Sequence, residues 1–404
     1  MIQNHNQSRA KLMSDATSSY TSPPVKNYTW RLLSIVLTAL VLFSVYNTAG
    51  INNALLAMVG ILIGLTLVFG NFGFTGGWVA WINRRDGRGL RAQMLILALA
   101  SAIFYPILDS GTLFGSDVRG FVVPFGIATI FGSFIFGIGM QFGGCCASGA
   151  LSWAGAGSVR VSITLVGFII GGVWGAYDIE YWRSLPGIRV DLTNEFGLFG
   201  GLGVTLLICA AVALFTIVFE KRKHGKVLPL NEDNEKLGLK RIIIGNWPIL
   251  SVVVLLVFAN FLTMALAGRP WGVTSAFVLW GSKTMTAAGA DLTTWNYWQN
   301  SAPLERSVFF DVTSVMNIGI LLGSLVAALT MGRFKPQWNI SLKMVLISII
   351  GGLMLGYGSR IAYGCNIGAF FSGISSASLS GWVWFVSAFA GNLVGNQIKK
   401  KLSI

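Results

Sequence analysis

The sequence predicts an all-α membrane protein of about ten transmembrane helices plus short half-helices, arranged as two inverted five-helix repeats. Three observations predict it. Mean hydropathy is +0.68 with 11% charged residues, where an average soluble domain carries about 25%. Glycine is abundant, with 50 residues against 10 prolines and no triplet period, which suits packed transmembrane helices better than collagen or disorder. The chain also echoes itself: a shift of 219 positions carries Gly132, Gly137, Gly139, Cys146, Gly149 and Ala150 onto Gly351, Gly356, Gly358, Cys365, Gly368 and Ala369.

Taken in order, residues 1–29 are polar, contain Pro23 and Pro24, and read as a disordered cytoplasmic tail rather than a cleaved signal peptide. Runs long enough to span follow at 30–50, 52–69, 90–108, 120–142 and 158–177, then at 197–219, 243–267, 307–331, 342–358 and 380–398. Shorter apolar pieces at 73–82, 147–155, 271–282 and 366–373 cannot cross. The first repeat is expected over 30–196 and the second over 197–398, with a charged linker at 220–241 and a basic tail at 399–404. An odd number of helices per half makes the second copy run opposite to the first, and such repeats place a substrate site near the bilayer midplane.

The charge pattern orients the chain. With the N-terminus inside, 18 of the 29 Lys and Arg fall in cytoplasmic loops and six in outer loops, as the positive-inside rule requires. The net charge of +14 therefore reflects membrane orientation, and no nucleic-acid partner is expected.

Few residues can do chemistry inside the membrane. The two histidines, His5 and His224, fall in the tail and the linker, which argues against zinc, haem and histidine-based triads. No phosphate loop is present, and no cofactor or metal is expected. Asp311 is the one carboxylate read as intramembrane, and a functional role and a helix-end aspartate facing outer water are equally open for it. The cysteines remain. Cys209 stands alone in an apolar helix and reads as a small hydrophobe. Cys146 and Cys365 occupy equivalent positions, each at the start of a short helix, where an anion is welcomed. Cys145 replaces the glycine found at Gly364, and lining and packing are equally open for it. The same holds for Arg360, which either attracts an anion or satisfies carbonyls at a broken helix end.

The GxG-x5-GC-x-x-G run over Gly356–Gly368 followed by AFFSG, the run FGIGMQFGGCCASG, and the segment GRPWGVTSAFVLWGSK resemble the YeeE/YedE family of bacterial inner-membrane sulfur transport proteins. The resemblance covers residues 30–398. It implies an hourglass-shaped permease for thiosulfate with cysteines along a central path, and a related branch is associated with selenium metabolism. Carried over, Cys146 and Cys365 match two path cysteines. The third position reads Asn71-Phe72-Gly73-Phe74-Thr75, with glycine in place of cysteine, and Gly272 is glycine too.

The expected substrate path comprises Cys146, Cys365, Cys145, Gly144, Gly149, Gly364, Gly368, Asn366, Arg360, Gly73, Thr75, Gly272 and Thr274. A small sulfur-containing anion and the lipid bilayer are the expected partners, with a small soluble sulfur carrier on the cytoplasmic side as a further candidate. The chain is read as a permease and not an enzyme. The alternatives are a permease for a selenium compound, sulfite or other sulfur species, and a membrane sulfurtransferase that holds persulfide on Cys145 or Cys146.

Overall fold

The computed structural model describes residues 28–230 and 245–402. Almost all of the expected tail, most of the expected linker beyond residue 230, and residues 403–404 lie outside the described residues. In chain order the helices are α1 (Tyr28–Phe69), α2 (Phe74–Arg84), α3 (Arg88–Ser110), α4 (Ile127–Gly143), α5 (Ala147–Gly155), α6 (Val159–Tyr177) and α7 (Ile179–Ser184). There follow α8 (Leu192–His224), α9 (Ile249–Ala267), α10 (Thr274–Ala287), α11 (Ala302–Glu305), α12 (Val312–Thr330), α13 (Leu342–Ile361), a π-helix at Asn366–Ser372, and α14 (Leu379–Lys401). Two short antiparallel strand pairs, Thr112–Leu113 with Ser116–Asp117 and Phe125–Gly126 with Gly187–Ile188, decorate one set of loops.

Among the described residues, eight helical stretches are long and apolar enough to cross a membrane, against the ten expected. The difference has two physical causes. The first stretch, Tyr28–Arg84, contains α1, which folds back on itself at Gly50 (φ 81°, ψ 178°), a conformation open to glycine. Arg31 Nε donates to Leu329 O (3.0 Å) at one end of α12, while Asn53 Nδ2 donates to Phe309 O (2.8 Å) just beyond the other end. Phe69, at the far end of α1, packs with Ala327 and Met331 back at the first end of α12, so the chain crosses twice and reverses near Gly50, and α1 supplies two of the expected runs. The second cause is α14, which is 23 residues long but carries Ser380, Ser387, Asn392, Asn396 and three closing lysines, so its mean hydropathy is low.

Two helix junctions set the architecture. Across α1 and α12, a Cβ on Gly60 or Gly64 would collide with the carbonyls of Met316 or Ile320, and one on Gly319 or Gly323 would collide with those of Ala57 or Ile61. Two facing G-x-x-x-G pairs thus bring backbone onto backbone, the contact that substitutes for a hydrophobic driving force between helices in lipid. At the second junction α13 is wedged between α4 and α6: Gly351 meets Gly143, Gly358 meets Gly132, and Gly356 meets Phe168 and Gly171. These are the glycines of the repeat.

The expected linker begins within a helix. Helix α8 continues to His224, and Glu220 is wholly buried in it. Its carboxylate pairs with Arg91 of α3 at 2.7 Å and accepts from the Gly87 amide at 2.9 Å. Such a pair is costly to break because the surviving charge is left without a partner.

Two stability predictions follow from these contacts. Gly64→Val is expected to lose about 3 kcal/mol or more through overpacking and to abolish the monodisperse peak in detergent size exclusion. Gly203→Ala serves as its control, since a methyl there meets nothing within 4 Å. Glu220→Gln is expected to cost about 3–5 kcal/mol, read as a lower melting temperature of the purified protein, and Glu220→Gln combined with Arg91→Met should recover part of it.

Candidate substrate path

The two repeat motifs end their long helices in the same way. Helix α4 stops at Gly144 in the left-handed region (φ 74°), and 219 positions later Tyr363 takes the same conformation (φ 62°) after α13. Each chain then enters a short helix through an extended cysteine: Cys146 (φ −98°, ψ −172°) before α5 and Cys365 (φ −116°, ψ −167°) before the π-helix. The Cys146 thiol caps no backbone amide, so the first-turn amides of α5 lack a side-chain acceptor from the cap, whereas the Ile367 and Gly368 amides are directed at the Cys365 thiol. The second short helix was expected as an ordinary half-helix over 366–373. Its π geometry, with Phe370 N and Ala369 N both donating to Cys365 O (3.3 and 2.9 Å), widens the first turn.

All four short helices contribute side chains to one extended buried core, which also reaches Val45 and Cys209. It contains Phe74 and Trp78 of α2, Cys146, Ala147 and Leu151 around α5, Phe277 of α10, and Cys365, Ile367 and Phe370 of the π segment. Phe74 and Trp78 both contact Phe370 edge-on (6.3 and 6.4 Å), so the start of α2 touches the π-helix directly. Cys146 Sγ lies 3.5 Å from Ser148 Oγ. Cys145 turns elsewhere: it packs with Ala150, Val161 and Leu165 and donates to Gly143 O at 3.6 Å. Cys209 is buried in α8.

The remaining expected residues divide by whether they face space. Gly368 is buried, yet a Cβ there would meet nothing within 4 Å, and Gly73, the cap of α2, is equally open. Gly272 faces only Arg269 Nη1, at 3.9 Å. Thr75 and Asn366 are buried beside these gaps in sequence, and Thr75 Oγ1 and both polar atoms of the Asn366 amide have no protein partner. Thr274 opens α10 directly after the cap at Val273. Gly364 has no room, its Cβ position lying 2.7 Å from Ala369 N, and Gly149 covers Cys146, its Cβ position lying 3.4 Å from Sγ. Gly144 faces the Arg160 guanidinium at 3.5 Å. Arg360 stands apart from the cysteines, donating to Tyr297 Oη at 2.8 Å and lying over that ring.

Side-chain amides and indoles hold the broken backbone in place. Gln93 of α3 donates to Phe74 O (3.2 Å) at the first turn of α2, and Asn317 of α12 donates to Val273 O (2.9 Å) at the cap of α10. Asn260 accepts from Trp271 N (2.7 Å), Ser372 donates to Trp271 O (2.6 Å), and Trp384 donates to Gly364 O (3.2 Å). Sequence reasoning missed Gln93, Asn260 and Asn317. The available signal was an amide inside an apolar run, since such groups are kept in membranes only where they find partners or line polar space. Asn260 Nδ2, Asn317 Oδ1 and Trp271 Nε1 remain buried without a protein partner.

Among curated proteins, the chain is 25% identical over 348 residues to a thiosulfate transporter of Spirochaeta thermophila, covering 83% of this chain and 95% of that one. It is 22% identical over 340 residues to the thiosulfate transporter of Escherichia coli K12, covering 82% and 90%. The match to the probable transporter YedE of the same bacterium is 32% identical over 130 residues and spans 32% of each chain, about a third of that relative's length. The family model for sulphur transport matches residues 69–394, a span that holds both cysteine caps and all four short helices. A multi-pass membrane protein with these motifs, matched over most of its length, belongs to the sulphur transport (YeeE/YedE) family.

Proposed function

We propose that this chain is a permease that passes thiosulfate or a related sulfur-containing anion across the membrane between Cys146 and Cys365. The observation that carries the reading is the matched pair of cysteine caps, in one buried cluster, beside open space at Gly368 and Gly73 and unpartnered polar atoms on Asn366 and Thr75. A bare dianion in lipid is costly by several kcal/mol or more, so a path must offer fixed donors. Short-helix amides and side-chain amides supply them. Thiols add weak S–H donors for the terminal sulfur of thiosulfate, a soft end that sulfate lacks. Nothing in this reading calls for a covalent step.

Two further parts of the reading share that support. The halves are read as inverted repeats, because packing partners exchange between them: α13 lies against α6 as α14 lies against α4, and α4 and α13 cross one another. The termini are read as cytoplasmic on the loop charges given above, and the membrane as the bacterial inner membrane on the family resemblance.

A different sulfur or selenium substrate is favoured by one observation, the glycine at position 73. Its open side leaves room for a larger or differently polarised guest where a third thiol would stand.

Uptake of radiolabelled thiosulfate by cells without their own thiosulfate importers tests the path. Cys146→Ala and Cys365→Ala are each expected to reduce uptake about tenfold or more, and undiminished uptake by the double variant removes the cysteine path. Gly73→Cys is expected to fold normally, because its Cβ has space, and to shift competition by sulfite and selenite relative to thiosulfate. Unchanged competition would show that position 73 does not set substrate choice.

A further inference from the structure

The face bearing the strand pairs, outer in the orientation proposed above, holds two adjoining cavities that share Gly120. One of about 240 Å³ is lined by Tyr105, Asp109, Asp191 and Ser376, and one of about 530 Å³ by Asp117, Arg119, Phe121, Gly268 and Arg269. Ser376, which lines the smaller cavity, packs against Gly120. It belongs to the segment that follows the π-helix, so the vestibule borders the cysteine-capped half.

Arg269 occupies the wall between this vestibule and the gap at Gly272. It directly follows the left-handed cap of α9 at Gly268 (φ 65°) and precedes the Pro270–Val273 loop. That loop is rigid, because Asn260, Ser372 and Asn317 bind its backbone from three different elements. The guanidinium donates through Nη2 to Thr313 Oγ1 (3.1 Å), while Nη1 is the only group within 4 Å of the Cβ position of Gly272. Asp311 interacts with it electrostatically and is engaged in capping α12 through Ser314 N at 2.7 Å, and Asp117 lines the same cavity. Among the described residues, Arg269 forms no ion pair. The corresponding loop of the first half, Gly70-Asn71-Phe72-Gly73, has no cation, so the loops before α2 and α10 differ in charge.

We propose that Arg269 is the substrate-binding residue at the outer mouth, taking the anion from the vestibule to the gap at Gly272 and favouring doubly charged oxyanions over singly charged ones. The proposal rests on the permease reading. A guanidinium fork presents two parallel donors to an oxyanion, and a charge held on a rigid loop needs no reordering when the guest arrives. Arg119, exposed on the rim, adds long-range attraction that salt screens.

The test is the KM and Vmax of thiosulfate uptake in Arg269→Gln, Arg269→Lys and Arg119→Gln, with thiocyanate as a singly charged sulfur competitor and folding checked by size exclusion. Arg269→Gln is expected to raise KM about tenfold with Vmax within about twofold, and to strengthen thiocyanate relative to thiosulfate. Arg269→Lys should fall between, and Arg119→Gln should raise KM only at low ionic strength. An unchanged KM in Arg269→Gln overturns the proposal, as does a fall in Vmax alone. If that variant does not fold, the lysine variant decides, an intermediate KM supporting the proposal and a native KM overturning it. No uptake by the unaltered chain would overturn the permease reading by itself. Arg269 is then judged on purified protein: thermal stabilisation by thiosulfate that is lost in Arg269→Gln supports it, and stabilisation that persists overturns it.

Discussion

Backbone-to-backbone contact between helices is the constraint on which the rest of this structure depends. In lipid, apolar side chains gain little by leaving one apolar surface for another, so helices are held by close packing and by polar contacts. Here glycine brings backbone onto backbone at Gly60 and Gly64 against Met316 and Ile320, at Gly137 and Gly391 against Ala388 and Phe134, and at Gly351 and Gly358 against Gly143 and Gly132. The cost is that glycine weakens each helix taken alone, by about 1 kcal/mol per residue relative to alanine. A helix such as α13 is therefore firm where it is gripped by α4 and α6, and it is ready to end where the grip ends. It ends at Ile361, four residues before Cys365.

A broken helix in a membrane exposes carbonyls and amides that water cannot satisfy. The chain meets this with side chains sent from intact neighbours. Arg160 donates to Phe142 O near the end of α4, Trp384 to Gly364 O in the second break, Gln93 to Phe74 O, and Asn317 to Val273 O. Each bond satisfies one backbone group and leaves others unspent. Polar atoms at or next to the breaks, among them those of Asn366, Thr75 and Asn260 Nδ2, stay buried without a protein partner. Close by in the core, Phe277, Phe168, Phe136 and Trp384 touch in succession.

Much of this was legible in the sequence, because glycine and cysteine carry positional information that survives a shift of 219 residues. The cysteine caps, the short helices and the membrane class followed from it. Other features left weaker traces. Tyr363 repeats the backbone of Gly144 without repeating its residue type, since the conformation is enforced by neighbouring packing. Cys145 gave no hint of its direction, because adjacent residues at a helix break diverge by an angle that only the break defines. Glu220 looked like the start of a polar linker, and its partner Arg91 lies 129 positions away. Lone amides such as Gln93 and Asn317 have no period, so their targets on other helices could not be read.

The two halves resemble one another in backbone more than in chemistry, and the difference bears on direction. One short helix is an ordinary α-helix of nine residues and the other a π-helix of seven. One break carries Cys145 where the other has Gly364, and the loop before α10 carries Arg269 where the loop before α2 has no cation. A symmetric path would bind an anion equally from either side and would gain nothing from one end over the other. On the reading proposed for Arg269, a fixed guanidinium at one mouth would make binding at that mouth tighter, while the equilibrium distribution across the membrane would be unchanged because the same site would be traversed in both directions. What the asymmetry would alter is the concentration at which that mouth is half filled.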